Sequence, residues 1–258
     1  MKISEYNRMV WDKKVADGVS YTKPVTSEVI EESKRGNWHI TVTTEKPVPR
    51  EWFPTSLKGV KILCLASGGG QQGPTLAAAG AEVTVVDLSE KQLEQDRFVA
   101  ERDDLQLTVE KGDMTDLSFI DNHTFDMVVH PVSNVFVENV LPVWKEASRV
   151  LKDGGTLISG FTNPLLYLFD GAQEEKGILD VKNSIPYSPL DQLREDELQI
   201  YKESNQALEF GHTLEDQIQG QIDAGFLIAG FYEDDFGGRR LIDRYTQTFI
   251  ATKAIKTK

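Results

Sequence analysis

The sequence predicts an α/β protein built on a doubly wound, mostly parallel β-sheet. The first observation is a regular alternation of apolar strand-like segments with helix-like segments between residues 60 and 161. The second is a run of three glycines directly after a strand, where the backbone can approach a ligand closely. The third is a pair of strand-like segments near the C-terminus, which are joined by an Asp- and Gly-rich turn and are therefore predicted to be antiparallel neighbours.

The alternating region begins with a strand–turn–helix–strand unit. The apolar strand Val60–Ala66 runs into the glycines Gly68–Gly70, and a helix-like segment follows at Pro74–Ala79. The second strand, Glu82–Val86, is followed at once by Asp87. Glycines allow a positive φ, the start of a helix offers free N–H groups, and a carboxylate at a strand end can accept from two ribose hydroxyls. This unit therefore predicts a site for an adenosine-containing cofactor.

The glycine run does not by itself decide which cofactor is bound. Residues 68–73 satisfy the dinucleotide fingerprint G-x-G-x-x-G, and an acid follows at the end of the second strand. The same layout serves S-adenosylmethionine, which has no pyrophosphate. Both cofactor classes stay open at this point.

The alternation continues through two more strands. Ser89 is predicted as the N-cap of a helix that runs to about Arg102, with Gln92 at the capping-box position. Leu105–Glu110 is predicted as the third strand. Phe125–Val129 is nearly all apolar, as expected of a strand buried on both faces.

A helix over about Asn139–Leu151 is predicted to stop at Lys152–Gly155, where a glycine favours a left-handed cap. Thr156–Phe161 is the fifth strand. Residues 163–212 then break the alternation, apart from a polar helix around 194–208. A departure of this length inside a compact domain indicates a lid-like or substrate-recognition insert.

The C-terminal part returns to regular structure. Thr213 is predicted to cap a helix that ends at Gly225. Phe226–Tyr232 and Tyr245–Thr252 are the two strands of the terminal antiparallel pair.

Residues 1–55 do not fit the alternation and are predicted to form an N-terminal arm that caps the main domain near the cofactor. Val25–Lys34 is predicted as a short helix and His39–Thr44 as a strand. The arm carries most of the tryptophans. Its aromatic side chains either anchor the arm to the domain, or help to cover the cofactor or the substrate through Trp11 or Tyr21.

Composition restricts the class of function. The net charge of −13 over 258 residues argues against a broad nucleic-acid surface, which needs clustered lysine and arginine. Cys64 is the only cysteine, so an intramolecular disulfide is excluded and a reducing compartment is expected. The chain shows no signal peptide and no apolar run long enough to span a membrane, which favours a cytoplasmic protein. A homodimer is compatible with the sequence, which does not fix the oligomeric state.

Five segments in order, each at a predicted strand end or helix end, resemble class I S-adenosylmethionine-dependent methyltransferases: 62–70, 83–89, 112–117, 125–130 and 149–157. The resemblance implies a seven-stranded sheet of order 3-2-1-4-5-7-6, with strand 7 antiparallel. It implies a methyltransferase domain over residues 56–258, preceded by the arm and carrying the insert after strand 5. The chain departs from the family pattern at Cys64, where the family often has an acid that helps to hold the methionine ammonium, and at Ala66, where it often has a glycine.

The resemblance also implies roles for individual residues. Asp87 accepts from the ribose hydroxyls, Leu88 lies against the adenine, and Asp113 accepts from the adenine amino group beside the backbone N–H of Met114. The full cofactor set is Ser67, Gly68, Gly69, Gly70, Gln71, Asp87, Leu88, Gln92, Asp113, Met114, His130 and Pro131. No metal site is predicted.

Methyl transfer from a sulfonium is an in-line displacement that needs alignment, and a base only when the acceptor carries a proton. His130 is the candidate general base; alternatively, its ring only forms hydrogen bonds with the cofactor or a backbone carbonyl. The candidate substrate residues are Trp11, Tyr21, Asn134, Asn163, Tyr167 and Tyr187. We expect a small-molecule acceptor. The alternatives are an NAD(P)-dependent oxidoreductase, or a non-catalytic cofactor-binding protein of the same fold.

Overall fold

A computed structural model describes all residues from Met1 to Lys258. Its centre is one seven-stranded β-sheet with the strands β1 Lys61–Leu65, β2 Glu82–Asp87, β3 Leu107–Lys111, β4 Phe125–His130, β5 Leu151–Thr162, β6 Phe226–Asp234 and β7 Phe249–Lys256. The strand order is β3-β2-β1-β4-β5-β7-β6. Strands β1 to β5 pair in parallel, and β7 pairs antiparallel with both β5 and β6. The predicted fold class and strand order are confirmed.

Nine α-helices surround the sheet: α1 Ile3–Ala16, α2 Ser27–Lys34, α3 Gln72–Ala78, α4 Glu90–Asp103, α5 Leu141–Val150, α6 Gly171–Glu174, α7 Pro189–Gln192, α8 Glu195–Glu203 and α9 Gly220–Asp223. A π-helical turn over Glu215–Gln219 leads into α9. None of these helices combines the length and the apolar character that crossing a bilayer requires.

Two apolar cores lie on opposite faces of the sheet, which is the doubly wound arrangement. Ile62 and Cys64 of β1 point into one core, together with Leu76 of α3 and Leu93 of α4. The intervening residues of β1 point into the other core, where α5 packs. Successive side chains of a strand alternate between faces, so a parallel strand covered on both faces must be apolar throughout.

The predicted helix boundaries hold where a side chain caps the helix. The Ser89 hydroxyl accepts a hydrogen bond from the backbone N–H of Gln92 (3.2 Å) at the start of α4. The Thr213 hydroxyl accepts from the N–H of Asp216 (3.0 Å) before the π-helical turn. Gly225, with φ +92°, follows α9 in the left-handed conformation expected of a C-terminal glycine.

Three local predictions are wrong. Residues 39–44 do not form a strand; Thr41 makes a single bridge with Pro47. Strand β5 starts at Leu151, directly after α5, so Lys152–Gly155 belong to the strand and do not cap the helix. The last strand begins at Phe249 rather than at 245, since Leu241–Arg244 form a 3₁₀ turn.

Helix α1 was not expected from the sequence, because it has almost no apolar face. Only Asn7 and Val10 of its fourteen residues are buried. Ion pairs between residues one turn apart, such as Arg8–Asp12 and Lys13–Asp17, support it instead.

The arm is built into the core of the protein. Trp38, Val42 and Trp52 of the arm belong to the same buried cluster as β1. The Val42 carbonyl accepts a hydrogen bond from the N–H of Val132 (3.0 Å), so the arm crosses the ends of β4 and β5. Gly160 of β5 makes this crossing possible, since a Cβ there would lie 1.9 Å from the Val42 oxygen.

The insert after β5 lies against the arm and the loop that follows β4. The N–H of Phe210 donates to the Val135 carbonyl (2.7 Å), and the N–H of Leu208 donates to the Asn7 side chain (2.8 Å). The Asn7 amide in turn donates to the carbonyls of Phe136 (3.1 Å) and Leu208 (3.0 Å). The buried Asn7 side chain therefore joins α1, the β4 loop and the insert.

The crossing of the arm over β5 gives a first test. Gly160→Ala is expected to lower the free energy of unfolding by about 2 kcal/mol or more, because the new methyl group must displace the arm backbone. Urea denaturation followed by tryptophan fluorescence measures the change. Gly171→Ala is the matched control, since an added Cβ there has no atom within 4 Å, and it should change stability by less than about 0.5 kcal/mol. Equal stabilities of the two variants would contradict the tight crossing.

Candidate functional site

A cleft opens at the carboxyl ends of β1, β2 and β4, the edge where open α/β sheets bind ligands. Its floor comes from the sheet and its loops, and its outer wall comes from α1 and the loop after β4. The lining residues are Ser4, Asn7, Arg8, Trp11, Tyr21, Ala66, Ser67, Gly68, Gln71, Gln72, Asp87, Leu88, Ser89, Gln92, Gly112, Asp113, Met114, Pro131, Val132, Ser133, Phe136 and Val137.

The glycine turn after β1 forms the floor of the cleft. Gly69 and Gly70 have φ values of +129° and +71°, which L-residues with a side chain rarely adopt. A Cβ on Gly70 would lie 2.7 Å from Pro24 Cβ and 2.9 Å from the Gln95 carbonyl oxygen. The arm and α4 thus pack against the side of the turn that faces away from the cleft, and only glycine fits between them.

Asp87, at the end of β2, fixes the turn and faces the cleft. Its carboxylate accepts a hydrogen bond from the N–H of Gly68 (3.0 Å) through Oδ2 and from the N–H of Ser89 (2.9 Å) through Oδ1. Burial raises the pKa of this carboxyl, while these N–H donors oppose the shift. The two bonds hold the carboxylate in one orientation at the cleft edge.

Gln92 of α4 lies beside Asp87 in the cleft and carries an orphaned polar atom. Its Oε1 is buried and has no hydrogen-bond partner within the chain. A buried carbonyl without a donor costs free energy, and such atoms are uncommon in folded proteins. A ligand that brings a hydroxyl donor to this position would satisfy it.

The loop after β3 closes the neighbouring side of the cleft. Asp113 uses Oδ1 to accept from both the N–H (2.9 Å) and the hydroxyl (2.8 Å) of Thr115, which shapes the loop. Met114 lines the cleft and is otherwise buried against the core of the α5 face. Asp113 therefore combines a turn-forming role with a place in the cleft wall.

Helix α1 covers the cleft from outside. Its residues Ser4, Asn7, Arg8 and Trp11 share one face through their i, i+3 and i+4 spacing, and all four line the cleft. Asp12 attaches the helix to the start of α4, because its Oδ1 accepts a hydrogen bond from the Ser89 hydroxyl (2.7 Å).

An aromatic cluster stands where α1 meets the loop after β4. The Trp11 ring makes edge-to-face contacts with Phe136 (5.2 Å between centroids) and with Tyr21 (6.0 Å). All three rings line the cleft, and the Lys14 ammonium lies 4.7 Å from the Trp11 centroid. Flat apolar surface thus faces the cleft beside Pro131.

The structure brings most of the predicted site residues together in this cleft. Those that line it are Ser67, Gly68, Gln71, Asp87, Leu88, Gln92, Asp113, Met114, Pro131, Trp11 and Tyr21. Gly69 and Gly70 shape the turn behind the lining. The Gln71 side chain also ties the turn to the arm, since its amide donates to the carbonyls of Tyr21 and Lys23 (3.0 Å each).

His130 does not reach the cleft. Its side chain is fully buried, with Nδ1 2.9 Å from the Leu65 carbonyl and Nε2 2.7 Å from the Asn134 amide. Burial lowers the pKa of the imidazole, which favours the neutral ring. The Asn134 oxygen Oδ1 is the atom that faces Nε2, and the Asn134 amide nitrogen donates a hydrogen bond to Gln217 Oε1 (3.0 Å). Both ring nitrogens are occupied, so the geometry offers no general base at this position.

The other predicted substrate residues lie outside the cleft lining as well. Asn163 is buried and caps the turn after β5 by accepting from the N–H of Leu165 (3.2 Å). Tyr167 stacks on Tyr187 within the insert, with centroids 5.3 Å apart, and donates its hydroxyl to Glu209 (3.0 Å). Asn134 belongs to the buried His130 network.

Sequence reasoning did not assign several lining residues to the site, namely Ser4, Asn7, Arg8, Ala66, Ser89, Gly112, Val132, Ser133, Phe136 and Val137. Those of α1 carried a usable signal, because positions 4, 7, 8 and 11 form one helical face that ends in the predicted Trp11. The residues after β4 carried no sequence signal for the site apart from their position at the end of a strand.

A seven-stranded sheet of this order, with a glycine turn after β1 and a carboxylate at the end of β2, defines the class I S-adenosylmethionine-dependent methyltransferases. The family profile described as a methyltransferase domain matches residues 63–159. These residues run from β1 into β5 and include the glycine turn, Asp87 and the β3 and β4 loops.

Comparison with known proteins places the whole chain in this family. It is 58% identical over 251 residues to the uncharacterized methyltransferase YbaJ of Bacillus subtilis (strain 168), with 97% of each chain covered. A methyltransferase structure from Mesorhizobium loti has a TM-score of 0.60 at 19% identity, over 80% of this chain and 95% of that one. A similar structure from Listeria monocytogenes has a TM-score of 0.61 at 18% identity, over 81% and 96%. The chain belongs to the class I S-adenosylmethionine-dependent methyltransferases, which decides between the two cofactor classes that the glycine fingerprint left open.

Asp87 gives the direct test of the cleft. Asp87→Asn is expected to weaken binding of S-adenosylmethionine by roughly tenfold or more, because the amide loses the charge and one acceptor position at the cleft edge. Isothermal titration calorimetry measures the change. Asp191→Asn, an exposed position in the insert, is the control and should bind as the native protein does. An unchanged dissociation constant in the Asp87 variant would remove this residue from the site.

Proposed function

We propose that this methyltransferase acts on a small-molecule acceptor, with the cofactor held across the ends of β1, β2 and β4. In this arrangement the Asp87 carboxylate and the orphaned Gln92 oxygen accept from the ribose hydroxyls. Leu88 and Met114 lie against the adenine, and Asp113 accepts from its amino group. These hydrogen-bond acceptors and apolar side chains together fit an adenosine-containing ligand.

The observation that carries the small-molecule proposal is the cover that α1 forms over the cleft. Trp11, Tyr21 and Phe136 stand over the end of β4, next to Pro131. A polymer surface could not reach this position without displacing the helix. A small, flat or apolar acceptor fits between these rings and the sheet edge.

The insert reinforces this cover from the other side. Asn7 bonds to the backbone of Leu208 in the insert and of Phe136 in the β4 loop, as described above. The Tyr6 hydroxyl also donates to the Gln206 carbonyl (2.9 Å). These hydrogen bonds therefore hold the arm and the insert together beside the cleft.

Charge supports the same conclusion. The net charge of −13 disfavours RNA or DNA as the acceptor, because phosphate backbones need a basic surface. An acidic protein suits a positively charged cofactor. The single buried cysteine fits a reducing, cytoplasmic environment, and the oligomeric state stays a prediction.

The protein contributes mainly by aligning the acceptor with the methyl group and by excluding water. The cofactor supplies an electrophilic methyl group on sulfur, and the thioether that leaves is neutral and requires no acid. The aromatic cover and the ends of β1 and β4 hold the acceptor in line and keep solvent out. No titratable side chain of the cleft is needed as a base for an acceptor that is already deprotonated.

Ligand binding distinguishes this proposal from its two alternatives, an NAD(P)-dependent oxidoreductase and a non-catalytic cofactor-binding protein. Calorimetric titration should show binding of S-adenosylmethionine and S-adenosylhomocysteine, and no binding of NADH. Heat with NADH alone would support the oxidoreductase. Binding without any methyl transfer to any cell fraction would support a non-catalytic protein.

The acceptor class is tested with methyl-labelled cofactor and cell extract divided into metabolite, RNA and protein fractions. We expect label in the metabolite fraction. With the acceptor purified from that fraction, Trp11→Ala should lower kcat/KM by roughly tenfold or more, because the variant loses the ring that covers the acceptor. Tyr245→Ala, whose side chain is 72% exposed, is the matched aromatic control and should be unaffected. Label only in RNA or protein would refute the small-molecule proposal.

A further inference from the structure

A buried carboxylate lies directly beneath the glycine turn. Asp96 of α4 has no solvent exposure. Its Oδ2 accepts a hydrogen bond from the N–H of Gly69 (2.9 Å), and its Oδ1 is buried without a partner. A carboxylate held by so few donors is costly to bury, so packing and stability alone do not account for it.

Asp96 and Asp87 hold consecutive N–H groups of the same turn. Asp87 of β2 binds the N–H of Gly68, and Asp96 of α4 binds that of Gly69. The chain passes between the two carboxylates with the glycine conformations described above. The turn is therefore clamped from the strand side and from the helix side.

The unpartnered oxygen of Asp96 points toward the start of α3. A Cβ on Gly73 would lie 3.3 Å from Asp96 Oδ1 and 2.5 Å from a methyl group of Val85. Glycine at position 73 thus leaves the room in which this oxygen sits. Any side chain at position 73 would also collide with Val85, so this space beside the carboxylate stays open.

Backbone N–H groups of the glycine turn partly stabilise the charge of Asp96, but no cationic side chain pairs with it. Asp87 of β2 and the thiol of Cys64 of β1 are the titratable groups that face it, and burial with Asp96 nearby raises the pKa of that thiol, which keeps it neutral. Helix α3 has no titratable residue, and α2 and β3 carry their charged side chains at the surface. Asp12 of α1 is bound to Ser89 at the N-terminal end of α4. No salt bridge to Asp96 is formed, and burial raises the pKa of its carboxyl to about 7.

We propose that Asp96 is a positioning residue whose negative charge, held by α4 behind the glycine turn, favours the cationic sulfonium cofactor over its neutral thioether product. The inference rests on the cofactor site proposed above. Asp96 lies behind the turn and touches neither ligand; it acts through the Gly69 N–H and through its field across the turn. The product is then released more readily than the substrate cofactor, because methyl transfer removes the positive charge.

The pH dependence follows from the same charge. Ionised Asp96 attracts the sulfonium, so the affinity for S-adenosylmethionine should rise as the pH increases through about 7, where the carboxyl loses its proton. The affinity for S-adenosylhomocysteine, which carries no charge on sulfur, should rise less. The ratio of the two affinities therefore increases with pH.

The experiment measures both dissociation constants by calorimetry between about pH 6 and about pH 8, for the native protein and for Asp96→Asn. The amide of the variant keeps an oxygen acceptor for the Gly69 N–H but loses the charge. We expect the preference for S-adenosylmethionine to fall about three- to tenfold in the variant and to lose its pH dependence, while binding of S-adenosylhomocysteine is kept.

The outcomes separate the inference from the proposal on which it rests. A native protein that binds neither ligand refutes the proposed cofactor site itself. Native binding of both ligands with a preference that does not change with pH overturns the role of Asp96, even if the variant fails to fold. An equal loss of both affinities in Asp96→Asn also overturns it, because a purely structural role would weaken both ligands alike.

Discussion

The site depends on how the backbone N–H groups of the glycine turn are held. Gly68 donates to Asp87 and Gly69 donates to Asp96, so carboxylates from a strand and a helix fix the same short segment. Charge-assisted hydrogen bonds of this kind are stronger than neutral ones and set the geometry of a flexible glycine segment. The cleft floor, the start of α3 and the contact with the arm at Gly70 all follow from this conformation.

A second constraint joins the peripheral parts of the chain to the sheet. The arm crosses β5 at Gly160, and Asn7 joins α1 to the insert and to the loop after β4. The contacts of Asn7 are polar, whereas Trp38, Val42 and Trp52 attach the arm through the apolar core. The cover of the cleft is therefore positioned by a few buried hydrogen bonds, while the apolar cores on both faces stabilise the sheet beneath it.

The sequence was informative where local patterns and the final structure depend on the same interactions. Apolar strands, the glycine turn, the Ser89 cap and the acid at the end of β2 were all predictable, because each is determined by neighbouring residues. Helix α1 was not, since Asn7 is buried by contacts with residues more than a hundred positions away. His130 was misplaced because its position at a strand end suggested the cleft, whereas its ring turns inward to Leu65 and Asn134.

The attachment of the arm to the glycine turn has a kinetic consequence. The N–H of Val25 donates to the Gly70 carbonyl (3.0 Å), and the Gln71 amide bonds to two further arm carbonyls. The turn that supports the nucleoside in the proposed site is therefore also a point where the arm is attached. If the nucleoside of the proposed site exchanges by movement of the arm, these bonds have to open, and its residence time then follows the rate at which the arm detaches.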